Sequence, residues 1–212
     1  MTGVQTCALP ISAEQLTSLV TSGSRGWGDY YSDSGPLFIR AQDIKTDSLK
    51  LEGVARVTLP EKAEGTRSSV ENSDLLITIT GANVTKSAIV RGLTKTAFIS
   101  QHVALLKPVC REAAAFHFLW IVSPAHGRKL LEKWAYGAGK PGLSLEQVRT
   151  LPIALPPLAE QTRIVAEVER RLSVVEELES VVSASLQRAT RLRQSILQKA
   201  FTGELTCKEG GS

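Results

Sequence analysis

The carboxyl-terminal part of the chain has the hydrophobic pattern of one long helix. After Pro156 and Pro157, no glycine or proline occurs before Gly203. A helix over residues 159–202 would be roughly 60 Å long at about 1.5 Å per residue. Apolar residues recur there at spacings of three and four, which places them in one stripe that needs a second helix to cover it. The stripe contains Val165, Val168, Leu172, Val175, Val182, Leu186 and Ile196.

The part of the chain before this helix has shorter apolar runs. Runs rich in β-branched residues at 37–39, 54–59 and 74–80 predict strands, because turn formers lie between them. Residues 97–108 alternate in part and predict a longer central strand. The segment 112–122 is apolar around most of a helix and predicts a buried one.

Two further signals predict where helices begin. Ser123 and Pro124 have the order of a helix cap and a first-turn proline, which predicts a helix ending at Gly137. Ser144 and Gln147 have the spacing of a capping box, which predicts a short helix. These elements indicate an α/β (α+β) domain that precedes a coiled-coil helix.

The length and hydrophobic content are sufficient for one ordinary domain, and the net charge is compatible with an anionic partner. The chain has 212 residues, of which 42% are hydrophobic, and its net charge is +4. Residues 12–158 contain 17 Lys and Arg against 13 Asp and Glu, whereas residues 159–202 contain 7 against 6. The basic excess therefore lies in the predicted domain, where it is compatible with a polyanion.

The cysteines and histidines indicate neither a disulfide framework nor a metal site. Cys7, Cys110 and Cys207 are few and far apart, and the three histidines have no ligand spacing with them. No apolar run reaches the roughly eighteen residues that span a bilayer, and the amino terminus lacks an export signal. We expect a cytoplasmic protein without a metal.

The residues on either side of the long helix resemble a known family. The helix is preceded by Leu151-Pro152-Ile153-Ala154-Leu155-Pro156-Pro157-Leu158-Ala159-Glu160-Gln161 and ends with Lys199-Ala200-Phe201-Thr202-Gly203-Glu204-Leu205. Both segments resemble the spacer helix and carboxyl terminus of the DNA-specificity subunit of type I restriction-modification systems. Residues 35–44, the strand that ends in Thr80-Gly81, and residues 100–103 are also similar to segments of that family.

The resemblance implies one target-recognition domain that reads half of a split double-stranded DNA target. The helix would be a spacer, packed antiparallel against the helix of a missing first half or of a second copy. Partners would be modification (methyltransferase) subunits and a restriction subunit, which would hold adenosylmethionine, ATP and Mg. The chain itself would bind no cofactor and would be non-catalytic. Consistently, the sequence lacks an Asn-Pro-Pro-Tyr/Phe tetrad, a P-loop and a nuclease-type acidic cluster.

Candidate DNA contacts come from loops that carry polar or basic side chains. The glycine-rich loop 22–31 can approach a surface closely, and asparagine and lysine can read adenine and guanine edges. A lysine in the glycine loop before the spacer would, by the resemblance, lie on the recognition side. The candidates are Arg25, Tyr30, Arg40, Gln42, Asn83, Lys86 and Lys140.

Three alternatives concern single side chains. Asn83 stands where the family commonly has another glycine, and it could instead take a left-handed turn position. His102 belongs to no catalytic motif and is expected to be a hydrogen-bonded structural histidine. Arg128, with Lys129 and Lys133, is expected to form a solvated helix face.

The amino terminus is expected to be artificial. Residues 1–11 look like the translation of a sequencing adapter, so the natural chain would begin upstream of Ser12 with a first recognition domain and helix. The resulting segments are 1–11, the recognition domain 12–158, the spacer 159–202 and a tail 203–212. A genuine half-subunit, a coiled-coil scaffold without a DNA role, and the recognition tail of a fused restriction-methylation enzyme remain alternatives.

Overall fold

A computed structural model describes residues 10–58, 66–135 and 141–205. In these ranges the first strands are β1 (Pro10–Ser12), β2 (Thr17–Ser22), β3 (Tyr31–Ile39), β4 (Ile44–Lys45), β5 (Ser48–Leu49) and β6 (Ala55–Val57). They are followed by β7 (Ser69–Val70), β8 (Leu75–Thr78), β9 (Ser87–Ile89), β10 (Ala97–Ile99) and β11 (Val103–Pro108). The remaining elements are the helices α1 (Ala114–Val122), α2 (Gly127–Trp134) and α3 (Leu145–Arg149), strand β12 (Pro152–Ala154) and the long helix α4 (Leu158–Phe201).

The strands form two four-stranded sheets and two short pairs. One sheet has the order β6-β3-β10-β7, with β3 and β10 parallel, and the other has the order β2-β11-β8-β9. The pairs are β1 with β12 and β4 with β5, both antiparallel. The expected α+β domain followed by a long helix is therefore confirmed.

The central strands β8 and β11 of the sheet β2-β11-β8-β9 are buried on both faces. Successive residues of a strand point to opposite sides, and nearly all residues of these two strands are buried. Leu76 and Leu105 face the first sheet and pack with Ile39 and Ile99. Their neighbours along the strands face the helices and pack in a second cluster, which contains Leu75, Ile77, Ala104, Leu106, Phe118, Ile121 and Leu131. This packing explains why residues 75–79 are apolar at every position except Thr78.

Two sequence predictions about element bounds are wrong. Residues 97–108 form two strands in different sheets, separated by a turn in which Val103 N donates to Ser100 O at 3.1 Å. Helix α2 begins at Gly127, since Ser123 O accepts the N–H groups of His126 and Arg128 in a turn. A side chain at Gly127 would lie within 2.7 Å of the Ile121 backbone, so glycine permits this close approach.

The capping box before α3 is confirmed. The backbone N–H of Gln147 donates to Ser144 Oγ at 3.1 Å, and Ser144 N donates to Gln147 Oε1 at 2.8 Å. The backbone N–H groups of Ser144 and Gln147 have no acceptor within the helix, and each is satisfied by the side chain of the other residue.

The long helix begins one residue earlier than expected, at Leu158, and ends at Phe201. The chain divides into two compact units, one up to Val165 and one from Ala166 onward. In the second unit the predicted stripe is exposed: Leu172, Val175 and Ile196 are 52%, 48% and 49% exposed. Within the described residues, no helix is long and apolar enough to cross a membrane.

The boundaries of the four segments, including residues 1–11, stay predictions. Pro10 and Ile11 pair with Ala154 and Ile153 in β12, and Ala13 N donates to Leu151 O at 2.9 Å. The structure therefore uses the end of this segment as an edge strand, whatever its origin.

Candidate nucleic-acid interface

The loops that follow four strands form one open cleft of about 430 Å³. Strands β3 and β10 are parallel, and β2 and β8 both run antiparallel to β11, so within each sheet the two carboxyl ends lie at one edge. The loops after these strands supply the walls. The lining includes Ser24, Gly26, Trp27, Gly28, Arg40, Gln42, Asn83, Ser100, Gln101 and His102.

An aromatic cluster fixes the glycine-rich wall of the cleft. Trp27 is buried, stacks on Phe38 at 5.2 Å between ring centroids, and meets Phe98 edge-on at 5.3 Å. A side chain at Gly23 would collide with the carbonyl of Ile99, so only glycine lets the loop pass against β10. Trp27 therefore anchors the loop, while the residues around it face the cleft.

Arg40 presents a fixed positive charge beside the cleft. Its Nε donates to Asp43 Oδ2 at 3.2 Å and its Nη2 to Oδ1 at 3.4 Å, while Asp43 also accepts the Arg40 backbone N–H at 2.9 Å. Burial alone would lower the pKa of Arg40, but the hydrogen bond and charge of Asp43 outweigh it and raise that pKa. The guanidinium is thus oriented by a buried carboxylate.

Asn83 links two walls of the cleft. Its Nδ2 donates to Ala41 O at 3.3 Å, which ties the loop after β8 to the turn after β3. Asn83 does not have a left-handed conformation, so that alternative is wrong; Thr85 has it instead, with φ of 71°.

Arg128 braces the same loop from helix α2. Its Nη1 donates to Thr85 O at 3.0 Å, and its Nη2 forms an ion pair with Asp47. The side chain is only 12% exposed. The expected solvated face is therefore wrong for Arg128, because a carbonyl and a carboxylate from two loops receive its guanidinium.

The structure brings four of the seven predicted contact residues together. Arg40, Gln42 and Asn83 line the cleft, and Arg25 lines an adjoining cleft of about 480 Å³. Among the described residues that line these two clefts, Tyr30 and Lys86 do not occur. Lys140 lies outside the described residues. All seven contacts stay predictions.

Gln101 and His102 were missed by the sequence reasoning. Both line the two clefts, and Gln101 Nε2 lies 3.2 Å from His102 Nε2. His102 is exposed, so its hydrogen bond does not make it a core residue. The sequence signal for these residues was the polar segment Ser100-Gln101-His102, which separates two apolar runs.

The fold is similar to that of solved restriction-modification proteins. A chain from a structure of a type I R-M system matches with a TM-score of 0.68 and 20% identity, over 91% of this chain and 45% of that one. The HsdS subunit from Thermoanaerobacter tengcongensis matches with a TM-score of 0.58 and 22% identity, over 92% and 44%. These likenesses define the fold class.

The sequence defines the family. The family model described as type I restriction modification DNA specificity domain matches residues 39–180, and the chain therefore belongs to that family. It is 32% identical over 182 residues to the EcoBI specificity subunit of Escherichia coli, and 28% identical over 174 residues to the StySPI specificity subunit of Salmonella potsdam. These matches include 85% and 80% of this chain but only 38% and 37% of the relatives' lengths.

Proposed function

We propose that this chain recognises one half of a split double-stranded DNA target for a type I restriction-modification complex. The observation that carries the proposal is the pair of adjoining clefts, where amide and basic side chains from four loops converge in a domain of the DNA-specificity family. Partner modification and restriction subunits would supply adenosylmethionine, ATP and Mg and perform the chemistry. The chain would be non-catalytic, and we place it in the cytoplasm with its DNA substrate.

The chemistry of the cleft fits base-edge recognition. The carboxamides of Gln42, Asn83 and Gln101 each carry a donor and an acceptor, which can pair with both groups on an adenine edge. Arg25 and Arg40 carry the fixed charge that guanine edges or phosphates attract. Because phosphate contacts position a protein and base contacts specify a sequence, the cleft has the groups for both tasks.

The test uses the chain together with the modification subunit from the same operon. Light scattering gives the mass of the mixture, DNA binding is measured across a salt series, and methylated adenines are mapped. A defined complex that methylates one sequence and loses affinity steeply with salt supports the proposal. A folded chain whose complex methylates without sequence preference would contradict it, and absence of DNA affinity would favour a scaffold.

We also propose that helix α4 pairs antiparallel with α4 of a second copy. Its first half, 158–179, contains six glutamates and three arginines, and its second half, 180–201, contains four basic residues and no acidic one. An antiparallel pair places the half of charge −3 against the half of charge +4, whereas a parallel pair opposes like charges. The same antiparallel pairing would cover the exposed apolar stripe.

A second candidate is the recognition part of a larger restriction enzyme. The type IIG restriction endonuclease BpuSI matches with a TM-score of 0.56 and 12% identity, over 76% of this chain and 26% of that chain. A similar fold therefore occurs within about a quarter of a longer enzyme chain. Catalytic motifs in the same reading frame upstream of Ser12 would favour this candidate.

A further inference from the structure

An apolar groove lies beside the start of helix α4, at the ends of β2 and β11 opposite to the ends that carry the cleft loops. Its volume is about 630 Å³, and its lining includes Leu16, Val109, Cys110, Pro157 and Leu158. Val109 and Leu158 are 69% and 48% exposed. Exposed apolar side chains that together form one concave patch are normally covered by a partner.

Two buried polar atoms of residues that line this groove lack a hydrogen bond. They are Nε2 of His117 and Oε1 of Gln161, and the residues are only 2% and 4% exposed. The other end of the Gln161 amide is satisfied, since its Nε2 donates to Pro156 O at 2.8 Å. Buried polar atoms without partners are rare, and here both belong to residues beneath an otherwise apolar groove.

We propose that the segment 201–205 of a second copy of this chain occupies the groove. This inference rests on the antiparallel pairing of α4 proposed above and specifies how its ends are held. Phe201 is 88% exposed and Leu205 is 55% exposed at the end of the helix.

The register of the two stripes brings this segment to the groove. Antiparallel overlap of nearly the full helix matches Val165 with Ile196 and Val175 with Leu186, so that paired residue numbers sum to 361. The same register places Phe201 of the second copy opposite Glu160. Leu205 then falls at the level of Pro156, and Gln161 opposite Ala200. The charge halves favour the antiparallel orientation, and in this register of nearly full overlap segment 201–205 reaches the groove.

A cross-linking experiment tests this contact directly. One chain carries Cys7→Ser and Cys207→Ser, which leaves Cys110 in the groove. The other carries these changes with Cys110→Ser and Leu205→Cys. After mixing and mild oxidation, we expect a disulfide-linked dimer that mass spectrometry assigns to positions 110 and 205. In the matched control, Gln187→Cys replaces Leu205→Cys and no link to Cys110 should form.

Sedimentation equilibrium supplies the second measurement. Phe201→Ala should raise the dimer dissociation constant by about 100-fold or more, because both copies lose a buried phenylalanine. Val181→Ala removes an exposed apolar side chain that lies outside the stripe and far from segment 201–205, and should change the constant by less than about threefold.

The outcomes separate the two proposals. A dimer that Leu172→Asp abolishes but Phe201→Ala leaves unchanged, with no link between positions 110 and 205, would overturn groove docking and retain helix pairing. A folded chain that stays monomeric in both measurements would overturn docking and pairing together.

Discussion

Arg128 Nη1 donates a hydrogen bond of 3.0 Å to the carbonyl oxygen of Thr85, the residue that has left-handed backbone geometry in the loop after β8. A β-branched residue rarely adopts positive φ, so the surrounding contacts must hold it there. The same guanidinium pairs with Asp47, whose own φ is 62°. One side chain thus fixes two strained turns, and one of these turns belongs to the loop that carries Asn83.

Arg128→Ala should therefore weaken both the fold and the cleft. We expect a loss of about 1–3 kcal/mol in the free energy of unfolding, because a nearly buried carbonyl and a carboxylate lose their donor. Urea unfolding measures this loss. DNA affinity should fall with it, although Arg128 does not line the cleft. Lys129→Ala on the exposed face of α2 is the matched control and should change neither quantity.

Asn83→Ala and Gln101→Ala should relax sequence preference at single base positions. Each good bidentate contact discriminates by about 1–3 kcal/mol, which is about 5-fold to 150-fold in relative affinity. Competition between DNA sites that differ by one base pair measures the effect in the complex with the modification subunit. If discrimination between these DNA sites is the same before and after both changes, the two residues do not belong to the recognition surface.

Arg25→Ala should act differently from the two amide changes. If Arg25 contacts a phosphate, affinity should fall for all sequences alike, and the slope of log K against log salt should decrease by about one. The measurement is the same binding assay across a salt series. A change confined to one base pair would instead show that Arg25 reads a base edge.

Leu172→Asp, which lies opposite Ala189 in the register given above, should break association of α4 and leave the domain folded. A carboxylate in an apolar stripe is desolvated in both copies, so the dimer dissociation constant should rise at least about 100-fold. Circular dichroism checks the fold, and light scattering gives the mass. Arg171→Asp, a charge change outside the stripe, is the control. An intact dimer in Leu172→Asp would contradict the spacer assignment.

The elements that sequence reasoning recovered are those with a local cause. The stripe of α4 and the Ser144–Gln147 capping box follow from residues within a few positions of one another. The errors concern residues whose environment is set by distant segments. Arg128 reads as a solvated helix residue until Thr85 and Asp47 are placed beside it, and His102 joins a cleft only because β10 and β11 belong to different sheets.

The position of His117 predicts a pH dependence of stability. Burial lowers the pKa of His117, so the folded chain holds the ring neutral. Below the ordinary histidine pKa of about 6.5, the unfolded chain takes up a proton that the folded chain does not. The contribution of the neutral His117 ring to stability should therefore be fully present above that pH. It should decline as the pH falls through it towards the lowered pKa of the folded state.

Urea midpoints at pH 8 and pH 5.5 test this linkage at one protein concentration. His117→Leu replaces the ring with an apolar side chain of similar length that does not titrate. This variant should lose less stability between the two pH values than the unchanged chain. His102→Gln removes an exposed histidine and should keep the full loss. An unaltered loss in His117→Leu would assign the pH dependence to other groups.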